Sequence, residues 1–200
     1  MGVPDRFGKL RVPTNFFLAS YRVASDCEWE INRLRKDSPY ISGWRIRWAG
    51  LCSLLTTSVH LMKNKDAKAC IPSAVKQALI DKWNEIGEDR SGNQIYWDFI
   101  RKERNNILKE YEFAAYEAIL DSQGNNKPKK SLIYMLSDGE SEALVLRGGP
   151  YEGRLGLDVA EEGVLWLKGV VNGCLLKAGF NPDAEIEVSE FLESSIAQKC

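Results

Sequence analysis

Glu103, Arg104, Asn105 and Lys109 are residues whose types and spacing could do chemistry. They stand in a stretch, 96–119, where Tyr96, Ile100, Ile107, Tyr111, Ala114 and Ala118 recur at steps of three and four, with Leu108 and Ala115 widening the stripe. That period predicts one long helix. Where the next apolar residue is due, Glu103-Arg104-Asn105 stands instead. On an ideal helix Arg104 falls about 30° from the centre of the stripe. A charge placed there must be paired or must face a cleft, because desolvating it alone is expensive. The chemistry open to such a set is stabilisation of negative charge by Arg104, and contact with a phosphate by an exposed Lys109.

The run Phe99-Ile100-Arg101-Lys102-Glu103-Arg104-Asn105-Asn106-Ile107-Leu108-Lys109-Glu110-Tyr111 resembles the core signature of HEPN-type helical domains. In that family an Arg, usually followed by Asn or another polar residue, precedes a His late in a helical bundle. The resemblance covers about one helical turn on either side of Arg104, together with the general order of the helices. Lys109 stands where the family has its His. A histidine supplies acid/base chemistry near neutral pH, and an ordinary lysine does not. Residues five apart on a helix diverge by about 140°, so Arg104 faces the core side and Lys109 faces solvent. A dimer interface could bring the two together across subunits.

The resemblance implies a catalytically degenerate HEPN-like binding module of a bacterial or phage defence or toxin–antitoxin type. Its expected partners are RNA, a nucleotide or a partner protein, with a homodimer as the assembly. Its binding residues would be Arg104, Asn105, Lys109, Glu103 and Arg101, with no cofactor. Two other readings stand beside it. One is a metal-independent ribonuclease that uses Arg104 and Lys109 across a dimer. The other is a structural or interaction protein with no small-molecule site.

Composition sets the outer limits. The chain has 200 residues, 44% of them hydrophobic and 28% charged, which describes an ordinary globular protein with a sizeable core. No apolar run approaches the roughly 18 residues of a membrane span. The N-terminal residues lack the apolar stretch of a secretory signal, and Arg6 stands where a myristoylation site has Ser or Thr. The five cysteines are odd in number and form no CxxC pair, so reduced thiols in the cytoplasm are expected. Charge is uneven: residues 1–130 carry a net +6 and residues 131–200 a net −7. No basic block is dense enough to mark a binding stripe, so solvated faces are the expected reading.

These residues are expected to sit on a mainly α fold: an antiparallel bundle of four to five helices with a small C-terminal β-hairpin/α element. The bundle would occupy 1–124, and an α+β extension packed on it 125–200. A first helix is expected over 14–36, starting at Thr14 and burying Phe16, Phe17, Val23, Ala24, Cys27, Ile31 and Leu34. Ser38-Pro39 opens a second, whose core face is Trp44, Trp48, Leu51, Leu55, Val59 and Met62. Pro72-Ser73 opens a third, with Val75, Leu79 and Trp83 inward, closed by Gly87. The helix over 96–119 comes next and ends near Gly124.

Beyond a polar linker at 125–130, Ser131–Leu136 and Glu142–Arg147 read as two short strands joined through Asp138-Gly139. After a glycine-rich loop, Asp158 and Glu161 form a capping box for a helix running to about Lys177. A short strand over 184–188 and a final helix capped by Ser189 close the pattern.

Three further patterns are expected to be structural. His60 is the only histidine and falls opposite its helix's apolar stripe, where solvent is expected. That excludes two-His catalysis, and the Asp and Glu residues show no ligand spacing, so no metal site is expected. Gly148-Gly149-Pro150-Tyr151-Glu152-Gly153 has the spacing of a phosphate loop but lacks its Lys-Ser/Thr, which predicts a left-handed, glycine-rich connection. Arg45 and Arg47 flank Trp44 and Trp48, and the spacing turns the tryptophans inward.

Overall fold

The computed structural model describes residues 10–37, 43–69, 71–121, 123–124, 126–127 and 141–191. The fold is mainly α. In chain order it comprises β1 (Arg11–Pro13), α1 (Ala19–Leu34), α2 (Trp44–Asn64), α3 (Ser73–Glu88), α4 (Arg101–Glu110), β2 (Ala115–Leu120), β3 (Asn126–Lys127), β4 (Ser141–Leu146), α5 (Gly156–Lys177) and β5 (Glu185–Glu187). The chain forms two compact units interleaved in sequence, one from 1–26, 54–93 and 164–200, the other from 27–53 and 94–163. The segments 1–124 and 125–200 each contribute to both. The expected strand over 131–136 lies outside the described residues.

In the first unit, β1 pairs antiparallel with β5, with Val12 opposite Ile186. The Thr14 N–H donates to the Ala184 carbonyl and the Asn15 N–H to the Pro182 carbonyl, each at 3.0 Å. These bonds draw 14–17 toward that strand as a single 3-10 turn, so the first α-helix starts at Ala19, five residues later than the N-cap pattern predicts. Phe16, expected in the core, is 41% exposed on that turn. The cap comes from far along the chain: the Asp66 carboxylate, 2% exposed, accepts the Ala19 and Ser20 N–H groups at 2.9 Å each. A carboxylate at this position satisfies two orphan helix donors and meets the positive end of the helix dipole. Leu18, Val75, Leu79, Leu167, Val171 and Leu175 are buried in this unit, and Phe17 stacks on Phe191 at 4.3 Å.

In the second unit, Trp44, Trp48, Ile100 and Ile107 are buried as their stripes require. Trp83, expected to face inward on its own helix, is half-buried and belongs to the first unit. The expected single helix over 96–119 is broken. Residues Ile95–Ile100 form a π-turn, in which the Arg101 N–H reaches back to the Tyr96 carbonyl. The α-helix after it stops at Glu110, because Tyr111 takes the left-handed conformation (φ 56°) and returns its N–H to the Ile107 carbonyl at 3.1 Å. Residues 115–120 are then extended. They pair with β4 over six positions, from Ala115 opposite Leu146 to Leu120 opposite Ser141, and with β3 on the other side. Ala118, Leu120 and Val145 pack together there. Alanine and isoleucine at helical spacing fit either state, and the available partner strand selects the sheet.

The capping box expected at α5 does not form. The helix begins at Gly156, and the carboxylates of Asp158 and Glu161 both pair with Arg35, at 2.8 and 2.7 Å. Gly163 is helical and sits against Ile100: a Cβ there would lie 3.2 Å from Ile100 Cδ1. Among the described residues no helix is long and apolar enough to cross a membrane.

Candidate functional site

Glu103 is 3% exposed, and it is the carboxylate, not Arg104, that occupies the inward position of α4. The three-four spacing from Ile100 to Ile107 passes through 103, so the stripe itself carries the acid inward. Its donors are the Trp48 indole N–H, at 2.8 Å from Oε1, and the Ala114 backbone N–H, at 3.2 Å from each oxygen. Glu30 holds Arg47 at 2.6 Å, and Arg104 is half-buried with its guanidinium donating to Asn105 Oδ1 at 2.9 Å.

Glu103 lines a cleft of about 250 Å³ within the second unit. Phe113 and Tyr151 contribute half-buried aromatic rings to it, and Lys102 and Arg147 contribute exposed cations. Asp98 and Glu112 add carboxylates to the lining, so its charge is mixed. The glycine-rich connection 148–153 forms one wall, with Gly148 and Gly149 both left-handed (φ 70° and 72°). A side chain would be strained at either position. A Cβ built on Gly149 would come within 3.9 Å of the Lys102 ammonium, which sets that cation against bare backbone. Arg147 also lies over the Tyr116 ring, 5.2 Å from its centroid.

The π-turn supplies the opposite wall. Its Phe99 packs edge-on against Tyr151 at 6.0 Å and is itself buried. Such turns recur at functional sites, because one extra residue re-aims the side chains beyond it. Burial raises the Tyr151 phenol above its ordinary pKa, and the Asp98 and Glu162 carboxylates push the same way. The ring therefore stays neutral at physiological pH and is suited to stacking.

Of the five candidate binding residues, Arg101, Glu103, Arg104, Asn105 and Lys109, Glu103 alone lines the cleft. Arg101 is exposed and stacks over Trp97 at 4.9 Å, and Lys109 is exposed on the last turn of α4. Arg104 and Asn105 bond to each other. Sequence reasoning missed Lys102, Asn106, Phe113, Arg147 and Tyr151. The usable signal was the pair of consecutive glycines after a strand, which marks backbone that side chains must leave open.

Other chemistry-bearing groups are in inert settings. Cys27, Cys52 and Cys174 are buried free thiols. Burial pushes Cys52 well above the ordinary thiol value, with the Glu103 carboxylate adding to the effect, and raises Cys174 to about 11. Neither is a thiolate at neutral pH. His60 is exposed, as its position opposite the stripe predicts. Among the described residues no group of His, Cys, Asp and Glu could hold a metal ion. In comparisons with protein-family models, curated proteins and solved structures, none matches this chain.

Proposed function

We propose that this protein is a HEPN-like, non-catalytic binding module that takes a base of single-stranded RNA or of a free nucleotide into the cleft beside Glu103. The observation that carries the reading is a desolvated carboxylate, fixed by two donors, in a cleft that also offers aromatic rings and two exposed cations. Base recognition outside a duplex uses this combination: a ring to stack on, a polar group to meet the base edge, and cations for the phosphate. His60 does not line the cleft, nor do Arg104 and Lys109.

The test is fluorescence anisotropy with end-labelled single-stranded RNA at low and high salt. Binding that weakens as salt rises, with the RNA recovered intact, is the expected result. Lys102→Ala and Arg147→Ala should each weaken binding and each reduce the salt slope by about one. Failure to bind either RNA or mononucleotides at low salt overturns the proposal. Cleavage that disappears in Lys109→Ala would establish the ribonuclease reading instead.

A further inference from the structure

We infer that the outer edge of β4 is a docking site for an extended peptide in which apolar and basic residues alternate. A second cleft of the second unit, about 240 Å³ in volume, runs beside that strand. It shares no lining residue with the cleft beside Glu103, so the inference is independent of the nucleotide reading. Glu142, Ala143 and Leu144 all line it. Successive side chains of a strand point to opposite faces, so three in a row meet one cleft where it opens along the strand's edge.

β4 is the outer strand of the described sheet, with β2 on its inner side. At Leu146 the N–H donates to the Arg154 carbonyl and the carbonyl accepts the Gly153 N–H, both away from β2. Backbone groups of an antiparallel strand alternate in direction from residue to residue, so those of Leu144 and Glu142 also point outward. The segment after the strand pairs with this outer side only from Val145 onward, where Val145 bridges to Leu155. Leu144 is 4% exposed, and among the described residues nothing accepts its N–H. A buried backbone donor on a strand edge is completed by a further strand.

The lining states what that strand must carry. Leu34, Trp44, Leu155 and Leu157 form an apolar wall, which suits a branched apolar side chain. Asp37, Glu142 and Asp158 line the cleft too, with Arg35 as the cation. Arg35 is shared between Asp158 and Glu161, and Arg47 between Glu30 and Asp37. Each arginine meets two carboxylates, so an excess of negative charge surrounds the apolar wall. Basic residues interleaved with apolar ones complement that excess. Main-chain bonds at the strand edge would supply affinity, and the cleft would supply the choice of side chain.

The test is titration of the full chain with a fluorescein-labelled peptide, Lys-Leu-Lys-Leu-Lys-Leu-Lys, followed by anisotropy. One control replaces its lysines with glutamate, and another replaces its leucines with serine. A further pair is N-methylated at alternate backbone amides, in one peptide on the side that faces β4 and in the other on the opposite side. Both substituted peptides, and one member of the N-methylated pair, should bind at least about tenfold more weakly than the parent. In the complex, exchange of the Leu144 amide hydrogen should slow by a similar factor.

Glu142→Pro removes an outward N–H at an exposed edge position, where proline is tolerated. It should weaken binding more than Glu142→Gln, which keeps that N–H. If Glu142→Pro does not fold, the N-methylated pair decides alone. Equal binding of the two N-methylated peptides, with Leu144 exchange unchanged, would mean that the cleft holds side chains without strand addition, and overturns the inference. Equal binding of the glutamate peptide overturns it as well, as does failure of the lysine–leucine peptide to bind.

Discussion

The indole N–H of Trp48 donates to Glu103 Oε1 at 2.8 Å, across 55 residues of sequence, with Trp48 fully buried and Glu103 nearly so. Two residues that look like core and charge in the sequence are one polar unit in the fold. A tryptophan buried with its N–H paired contributes both apolar area and a fixed donor. A carboxylate with two donors is tolerable where a lone one is not.

That pairing predicts a measurable coupling. Trp48→Phe leaves Glu103 short of a donor in the interior, and Glu103→Gln weakens the acceptor. Urea unfolding of the two single variants and the double variant should give a coupling of about 1–3 kcal/mol. Strictly additive effects would mean that the bond contributes nothing net.

Tyr111 should carry backbone strain that a glycine relieves. It is a non-glycine residue at φ 56°, 73% exposed, and its N–H closes α4. Tyr111→Ala and Tyr111→Gly both lose the ring contact with Phe113, and they differ only in the Cβ. Tyr111→Gly is therefore expected to be the more stable of the two by about 1 kcal/mol, read from thermal or urea unfolding.

The glycines of α5 should respond in opposite senses to alanine. At Gly169 a Cβ meets nothing within 4 Å, so Gly169→Ala should stabilise by about 0.5–1 kcal/mol through helix propensity. At Gly163 the added methyl would press on Ile100, itself fully buried. Overpacking costs about 1–3 kcal/mol, so Gly163→Ala should be neutral or destabilising. Calorimetric midpoints that rise equally in both variants would contradict this packing.

Acid should remove the contribution of the Arg35 cluster. The hydrogen bond from Arg35 holds the Glu161 carboxyl below the ordinary glutamate value. A depressed folded value means that the stabilisation is fully present above the unfolded value, about pH 4.3, and is lost as pH falls through the folded one. The side chains are 35–50% exposed, so the pairs should be worth less than about 1 kcal/mol, and less again in high salt. Arg35→Gln should flatten the stability–pH curve below about pH 4.3 and leave its shape unchanged near neutrality.

The sequence by itself determined the mainly helical character and most of the inward faces. Trp44, Trp48, Leu51, Leu55, Val59 and Met62 are all buried on α2, as their three-four spacing requires. It also showed that a charge lies on the inward stripe near 103–105, because a helix face is a local, periodic property. The three-four spacing Ile100–Glu103–Ile107 carries Glu103 rather than Arg104 inward, and tertiary structure decided what meets it: the Trp48 indole and the Ala114 N–H. Tertiary structure likewise decided that residues 115–120 are strand, since an alanine-rich apolar run takes whichever partner completes its backbone hydrogen bonds, and β4 comes from 21 or more positions further along the chain. The helix start at Ala19 was set in the same way by Asp66, from 46 and 47 residues away. The cleft belongs wholly to this second class. It joins a π-turn, the end of a helix and a loop after β4, and no local period records that they meet.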